Sequence, residues 1–323
     1  MVTDFCLGLI LVICRSYIIF SLDLVNSTEY KTLNPKEWPT VFQKFYEIAD
    51  NKLREKFSRI KVWKYIGDEV LYYLRINSLK DIFDAPVCFY EVLQESIASL
   101  HKHKPESKRI LSIKATLWMA KVGKIPSLNQ EEAENIFKYG NFQNIIISSE
   151  NSFKTDIEDF LGPDIDTGFR ISKYSFKGKL VISANIAYIL YKFREEVYSN
   201  YKYAPEDRLR ILYLKKLKGI WNGRAYPIIW YQTDWDYKKV FSYDDHLHTE
   251  YADFVKEILI TKQMKLKVIQ RISDEIGFNE VLDYSIKEIQ ENSKKIEEDE
   301  IKPISLPIKN TRNKYLEYRM KTE

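Results

Sequence analysis

The stretch that most limits the fold of this chain is VWKYIGDEVLYYL, residues 62–74. Two runs rich in aromatic and β-branched residues meet at Ile66-Gly67-Asp68, and a glycine between such runs is a hairpin signal. Helical periodicity lies on both sides of it. Upstream, Asn34-Pro35 offers a helix start, with Asn as cap and Pro in the first turn. Trp38, Val41, Phe42, Phe45, Ile48, Ala49 and Leu53 follow at helical spacing. Downstream, residues 79–102 place Ile82, Phe83, Val87, Tyr90, Leu93 and Ile97 on the same period. SYIIFSLDL (16–24) and KRILSIKATLWMAKV (108–122) read as strands. The order strand, helix, hairpin, helix, strand predicts an α+β fold, with helices on one face of a mostly antiparallel sheet.

The second half repeats the mixture without repeating the sequence. Residues 123–162 are mixed, with a short helix over 131–139 and a short strand over 144–148. DIDTGFRISKYS (164–175) begins a helix, KLVIS (179–183) is a strand, and a helix follows to about 197. ILYLKKLKGI (211–220) and YPIIWYQ (226–232) form a terminal hairpin. From 244 to about 292 the pattern is helical, and the charged tail beyond it reads as loose. The domain reading is an apolar leader over 1–15, a main α+β domain over 16–240 and a helical extension over 241–323.

Composition narrows the function classes. The 50 basic and 46 acidic side chains leave a net charge of only +4, mixed along the chain, which argues against a nucleic-acid partner. The 3 cysteines form no CxxC pattern, which fits a reducing cytoplasm. The apolar run FCLGLILVIC (5–14) is about half the length of a membrane span, and Arg15 ends it, so no membrane span is expected.

The polar residues inside apolar strands carry the chemistry. Asp23 closes the first strand, and Asp68 sits at the hairpin tip. If those strands are neighbours, the two carboxylates converge. With phosphate oxygens and water they make a site suited to Mg²⁺ or Mn²⁺. Taken singly, each residue has a plainer reading: Asp23 and Asp68 as turn residues, Lys64 as a snorkelling edge residue, Arg170 as a solvated helix residue, and Glu69 as an ordinary strand residue. His246 and His248 in DDHLHTE have metal-like spacing but fit a solvated helix start.

Four segments in order resemble class III nucleotide cyclases over roughly residues 16–235: FSLDLVNST (20–28), WKYIGDEVLYY (63–73), FLGPDIDTGFRIS (160–172) and LKGIWNGRAYPIIWY (217–231). The resemblance implies a ferredoxin-like α+β catalytic domain that cyclises a nucleoside triphosphate. It implies metal ligation by Asp23 and Asp68, with two Mn²⁺ or Mg²⁺ ions per site. Lys64 and Asp159 match the base-contacting positions. Asp166 takes the place of the ribose-orienting Asn, Arg170 matches the transition-state Arg, and Lys218 matches the phosphate-binding Lys, with Lys215 and Lys216 as rivals. The family also implies a homodimer with shared sites. DIDTGFRIS, with Asp166 for Asn and Gly168 two positions later, together with WKxxGDE, resembles the bacterial pyrimidine cyclases of the Pycsar antiphage system. That branch makes cyclic UMP or cyclic CMP, read by an effector encoded nearby; a Lys64 donor suits uracil O4 better than the cytosine amino group, so UTP is the expected substrate and cyclic UMP the product. CTP, ATP and an inactive nucleotide-binding scaffold are the alternatives.

Overall fold

A computed structural model of the protein describes residues 13–124, 144–150, 156–193, 208–220, 223–231, 286–287 and 289–291. The expected helix over 131–139, the leader and most of the C-terminal extension, including His246 and His248, lie outside the described residues.

The first strand, β1 (Ile13–Val25), lies inside the sheet with a neighbour on each side. Two helices follow it, α1 (Ser27–Leu33) and α2 (Trp38–Lys56). The hairpin is β2 (Lys61–Ile66) and β3 (Glu69–Arg75), and α3 (Leu79–His103) leads to β4 (Ser112–Lys124). β1 lies antiparallel between β3 and β4, and β2 is antiparallel to β3. This β-α-β-β-α-β unit with order β2-β3-β1-β4 is the ferredoxin-like split βαβ arrangement.

Beyond β4, the strand β5 (Asn144–Glu150) runs parallel to its end and pairs with β6 (Asp156–Leu161). Next come α4 (Pro163–Ile171), β7 (Leu180–Ile182), α5 (Ala184–Lys192), β8 (Leu209–Lys216) and β9 (Ala225–Tyr231). β7 joins β4 in parallel, and β9 and β8 complete the far side antiparallel. The expected α+β class with a mixed, mostly antiparallel sheet is what the chain adopts.

Alternation along β1 divides the molecule. Ile18, Phe20, Leu22 and Leu24 point to one face and pack with α2, α3 and α5 in the main core. Burying each such side chain contributes about 1.5–3 kcal/mol. Tyr17 and Ile19 point the other way, against Phe160 of β6, Ile165 of α4 and Trp118 of β4. The helices are thus not all on one face, because α4 and the β5–β6 arm cover the apolar end of the second one. Ile286 and Ile289 of the C-terminal segment are buried in the main core.

Local differences from expectation have physical causes. Asn34 does not start α2 but closes α1; the backbone N–H groups of Glu37 and Trp38 donate to its carbonyl, and α2 takes Pro39 into its first turn instead. The strand expected from 108 begins only at Ser112, because residues 105–109 make a 3₁₀ turn begun by a proline. Among the described residues no helix is long and apolar enough to cross a membrane.

Candidate active site

On the second face of β1 the outward series runs Tyr17, Ile19, Ser21, Asp23, apolar at one end and polar at the other. The register sets Glu69 of β3 and Lys114 of β4 on either side of Asp23. Facing residues of an antiparallel pair share a face, so one row carries acid, acid and base. Lys114 Nζ lies 2.9 Å from Asp23 Oδ2. Glu69 Oε1 accepts a hydrogen bond from Ser21 Oγ.

Asp68 joins this row through the hairpin turn. Gly67 has φ 65°, at the first central position of a two-residue loop, where a type II′ turn calls for glycine. The Asp68 carbonyl accepts from Leu24 N–H at 3.2 Å, which ties the loop to the end of β1. Ser27 Oγ donates to Asp68 Oδ2, and Tyr46 OH donates to the Gly67 carbonyl. Burial raises the proton affinity of Asp23; the nearby Asp68 charge adds to this and Lys114 opposes it. Burial also raises Glu69, with the Ser21 hydrogen bond opposing.

Lys64 and Asp159 are brought together by two different elements. In β2 the register slips between Val62 and Lys64, so Trp63 is an extra, bulged residue. Such bulges re-aim side chains. Lys64 faces Leu71, which faces Ser21, so it lies on the same sheet face as Asp23. Asp159 Oδ1 accepts from Lys64 Nζ at 2.7 Å and from both Trp63 Nε1 and Phe160 N–H at 3.0 Å. The Trp63 ring meets Phe160 edge-on, with centroids 5.0 Å apart, and Lys64 Nζ stands 4.2 Å from the Trp63 ring centre.

Asp166 and Arg170 stand on α4, one turn apart; Asp166 is exposed and Arg170 half-buried. The helix is located by two contacts. At its start, Asn144 Nδ2 donates to Asp164 Oδ2 at 2.7 Å, and Asp164 N–H donates back to Asn144 Oδ1 at 3.0 Å. In its middle, Gly168 lies flat on the Trp118 indole, where a Cβ would fall 2.5 Å from Nε1 and closer still to Cδ2 and Cε2. Lys218 is exposed in the β8–β9 turn, as are Lys215 and Lys216 at the end of β8. Among the described residues, no ion pair joins Arg170 or Lys218 to Asp23 or Asp68.

Asp23 and Asp68 fit a hard divalent cation: both donors are carboxylate oxygens, and the Asp68 charge raises the cost of charging Asp23. Among the described residues no group of three or more His, Cys, Asp or Glu is arranged to hold a metal ion. Substrate phosphate oxygens and water would have to complete the shell. Sequence reading missed Lys114 and took Glu69 as ordinary. The available signal was Lys114 interrupting the apolar strand SIKATLW, but its place beside Asp23 needs the register.

Several solved cyclase structures are similar to this chain. The guanylyl cyclase Cya2 is 15% identical, covering 70% of this chain and 96% of that one, with a TM-score of 0.48. The adenylyl cyclase CyaB from P. aeruginosa is 12% identical, covering 69% and 96%, with a TM-score of 0.48. The guanylate cyclase domain of RhGC from Catenaria anguillulae, solved in complex with GTP, is 14% identical, covering 68% and 97%, with a TM-score of 0.45. No family model matches the sequence, and no curated protein matches it. At these identities the functional reading rests on the residues themselves.

Proposed function

We propose that this protein is a nucleotide cyclase that converts UTP to 3′,5′-cyclic UMP and pyrophosphate, as a second messenger in antiphage defence. The observation that supports the nucleotide-cyclase reading is the Lys64–Asp159 pair, which also suits a purine and so keeps ATP among the alternatives. Ninety-five residues separate its members, yet a 2.7 Å hydrogen bond joins them on the sheet face that bears Asp23.

The ribose 3′-hydroxyl attacks the α-phosphorus, the bond from that phosphorus to the bridging oxygen breaks, and pyrophosphate leaves. Mn²⁺ or Mg²⁺ held by Asp23 and Asp68 would supply Lewis-acid chemistry that lowers the pKa of the hydroxyl and neutralises the phosphates. Arg170, planar and always charged, stabilises charge on the equatorial oxygens of the transition state. Asp166 orients the ribose, and Lys218 in the exposed turn holds the leaving phosphates.

Lys64 and Asp159 read the base. Asp159 Oδ1 already accepts three donors, so Oδ2 is the atom free to meet a base donor, such as a pyrimidine N3–H. Lys64 keeps further N–H groups for a carbonyl such as uracil O4, whereas cytosine presents an amino donor there. The Trp63 indole beside Lys64 adds bulk that favours a pyrimidine over a purine. A polar contact left unpaired by the wrong base costs about 1–3 kcal/mol.

The test is incubation with each of the four nucleoside triphosphates and Mn²⁺, with mass analysis of products and kcat/KM for each. UTP is expected first and CTP second. An ATP preference would overturn the pyrimidine assignment, and no cyclic product from any of the four would leave the nucleotide-binding scaffold. Lys64→Ala is expected to lose five- to a hundredfold in selectivity between uracil and other bases, an estimate of about 1–3 kcal/mol. Unchanged selectivity would remove Lys64 from the base pocket.

A further inference from the structure

Lys114 has no place in the cyclase chemistry above, yet it touches its centre. It stands opposite Asp23 in the register, its ammonium 2.9 Å from Asp23 Oδ2, and both side chains are about three-quarters shielded, at 26% and 22% exposure. On the other side of Asp23 the register sets Glu69, and Asp68 closes the hairpin beside it. Lys114 thus pairs with Asp23 in a row that also carries Glu69, with Asp68 at the hairpin beside it. Like charges directly opposite on paired strands are destabilising. Without Lys114, nothing among the described cations would form an ion pair with Asp23.

We propose that Lys114 is an internal counter-cation for the metal carboxylates, one that keeps divalent ions weakly bound until a nucleoside triphosphate brings its own negative charge. The inference rests on the assignment of Asp23 and Asp68 as metal ligands. A positive charge bonded to one carboxylate oxygen opposes a second, divalent charge on the same group at any separation the side chain allows. The ammonium therefore does two things. It balances the acidic row when no ion is present, and it weakens metal binding to the nucleotide-free protein. Its flexible four-carbon stem lets it swing from Asp23 towards substrate phosphates when the metal-bound triphosphate arrives.

The test is Mn²⁺ titration of the nucleotide-free protein, followed by calorimetry and by the thermal midpoint, on wild type, Lys114→Met, Lys114→Arg and Asp23→Asn. Lys114→Met is expected to bind Mn²⁺ about tenfold more tightly than wild type or better, from a lower metal-free midpoint that Mn²⁺ restores. Lys114→Arg should stay within about threefold of wild type, since it keeps the charge. If Lys114→Met does not fold alone, Lys114→Met with Glu69→Gln removes the uncompensated charge and is measured against Glu69→Gln. Unchanged or weaker Mn²⁺ affinity on loss of Lys114, with wild-type binding abolished by Asp23→Asn, overturns the counter-cation and leaves the metal site standing. Absence of Mn²⁺ binding in wild type and in Lys114→Met alike overturns both.

Discussion

Asp164 holds the start of α4, and its carboxyl is largely shielded from water. Burial pushes its pKa up to about 6 from 3.8, and the hydrogen bond from Asn144 only partly opposes this. A raised carboxylate pKa means the folded state binds the proton more tightly than the unfolded chain. Stability is then greatest below about 4 and falls as pH rises through 6. The difference corresponds to at most about 3 kcal/mol. Asp164→Asn keeps an acceptor for Asn144 and carries no charge. It should be more stable than wild type at pH 7.5, with the gap closing towards pH 4, as measured by urea unfolding across that range. An equal gap at both ends would mean that the buried carboxyl is not what titrates. At Asp23 and Asp68 the expectation is different in kind. Asp23→Ala and Asp68→Ala each remove an oxygen that no neighbour replaces, so turnover should fall below about 1% of wild type with the circular dichroism unchanged. Near-full activity of Asp68→Ala with Mn²⁺ would return Asp68 to the role of a turn residue.

Elements were legible where one period dominated. β1, α2, the β2–β3 hairpin and α3 all sit close to where their apolar spacing puts them, because each buries a single face or stripe. Asn34-Pro35 misled because a cap and a turn use the same residues, and α1 needs Asn34 at its end. Lys64 and Asp159 were reachable through resemblance, but the Trp63 bulge that aims Lys64 was not, since a bulge is a property of pairing and not of one strand. Lys114 escaped for the same reason. Gly168 marks a further relation between elements: α4 can lie against β4 only because this position has no side chain where Trp118 stands. Gly168→Ala should lift α4, with Asp166 and Arg170, off the sheet. The cost expected is about 1–3 kcal/mol of stability, as for other overpacked sites, together with a fall in kcat. Trimming Trp118 to Leu in the same chain should recover part of the stability lost to the alanine. If the double variant is as unstable as the sum of the two singles, the contact is not the cause.

At the scale of the whole molecule, the candidate residues of one chain fall into groups that no hydrogen bond or ion pair joins among the described residues. Asp23, Asp68, Glu69 and Lys114 form one, Lys64 and Asp159 a second, and Arg170 and Lys218 reach towards neither by any ion pair among the described residues. The proposed transition state would need the carboxylate-held metal and the Arg170 guanidinium on the same phosphoryl group. Under the proposed function, two copies related by a two-fold axis would satisfy this, each giving its acidic row to one site and its α4 to the other. Every residue type is then used twice, and the two sites are equivalent. Asp68→Ala and Arg170→Ala chains should each be inactive as homodimers. In their heterodimer one site receives both defects and the other receives none, so activity should return. An equal mixture at random association gives half heterodimers, each with one intact site of two, or about one quarter of wild-type turnover. Isolated heterodimers, purified through two different affinity tags, should reach about half. Mass photometry checks that the mixed species is present. Verified heterodimers with no recovery would place Asp68 and Arg170 of the same chain in one site, and the groups seen apart in the single chain would have to be joined by a movement within it.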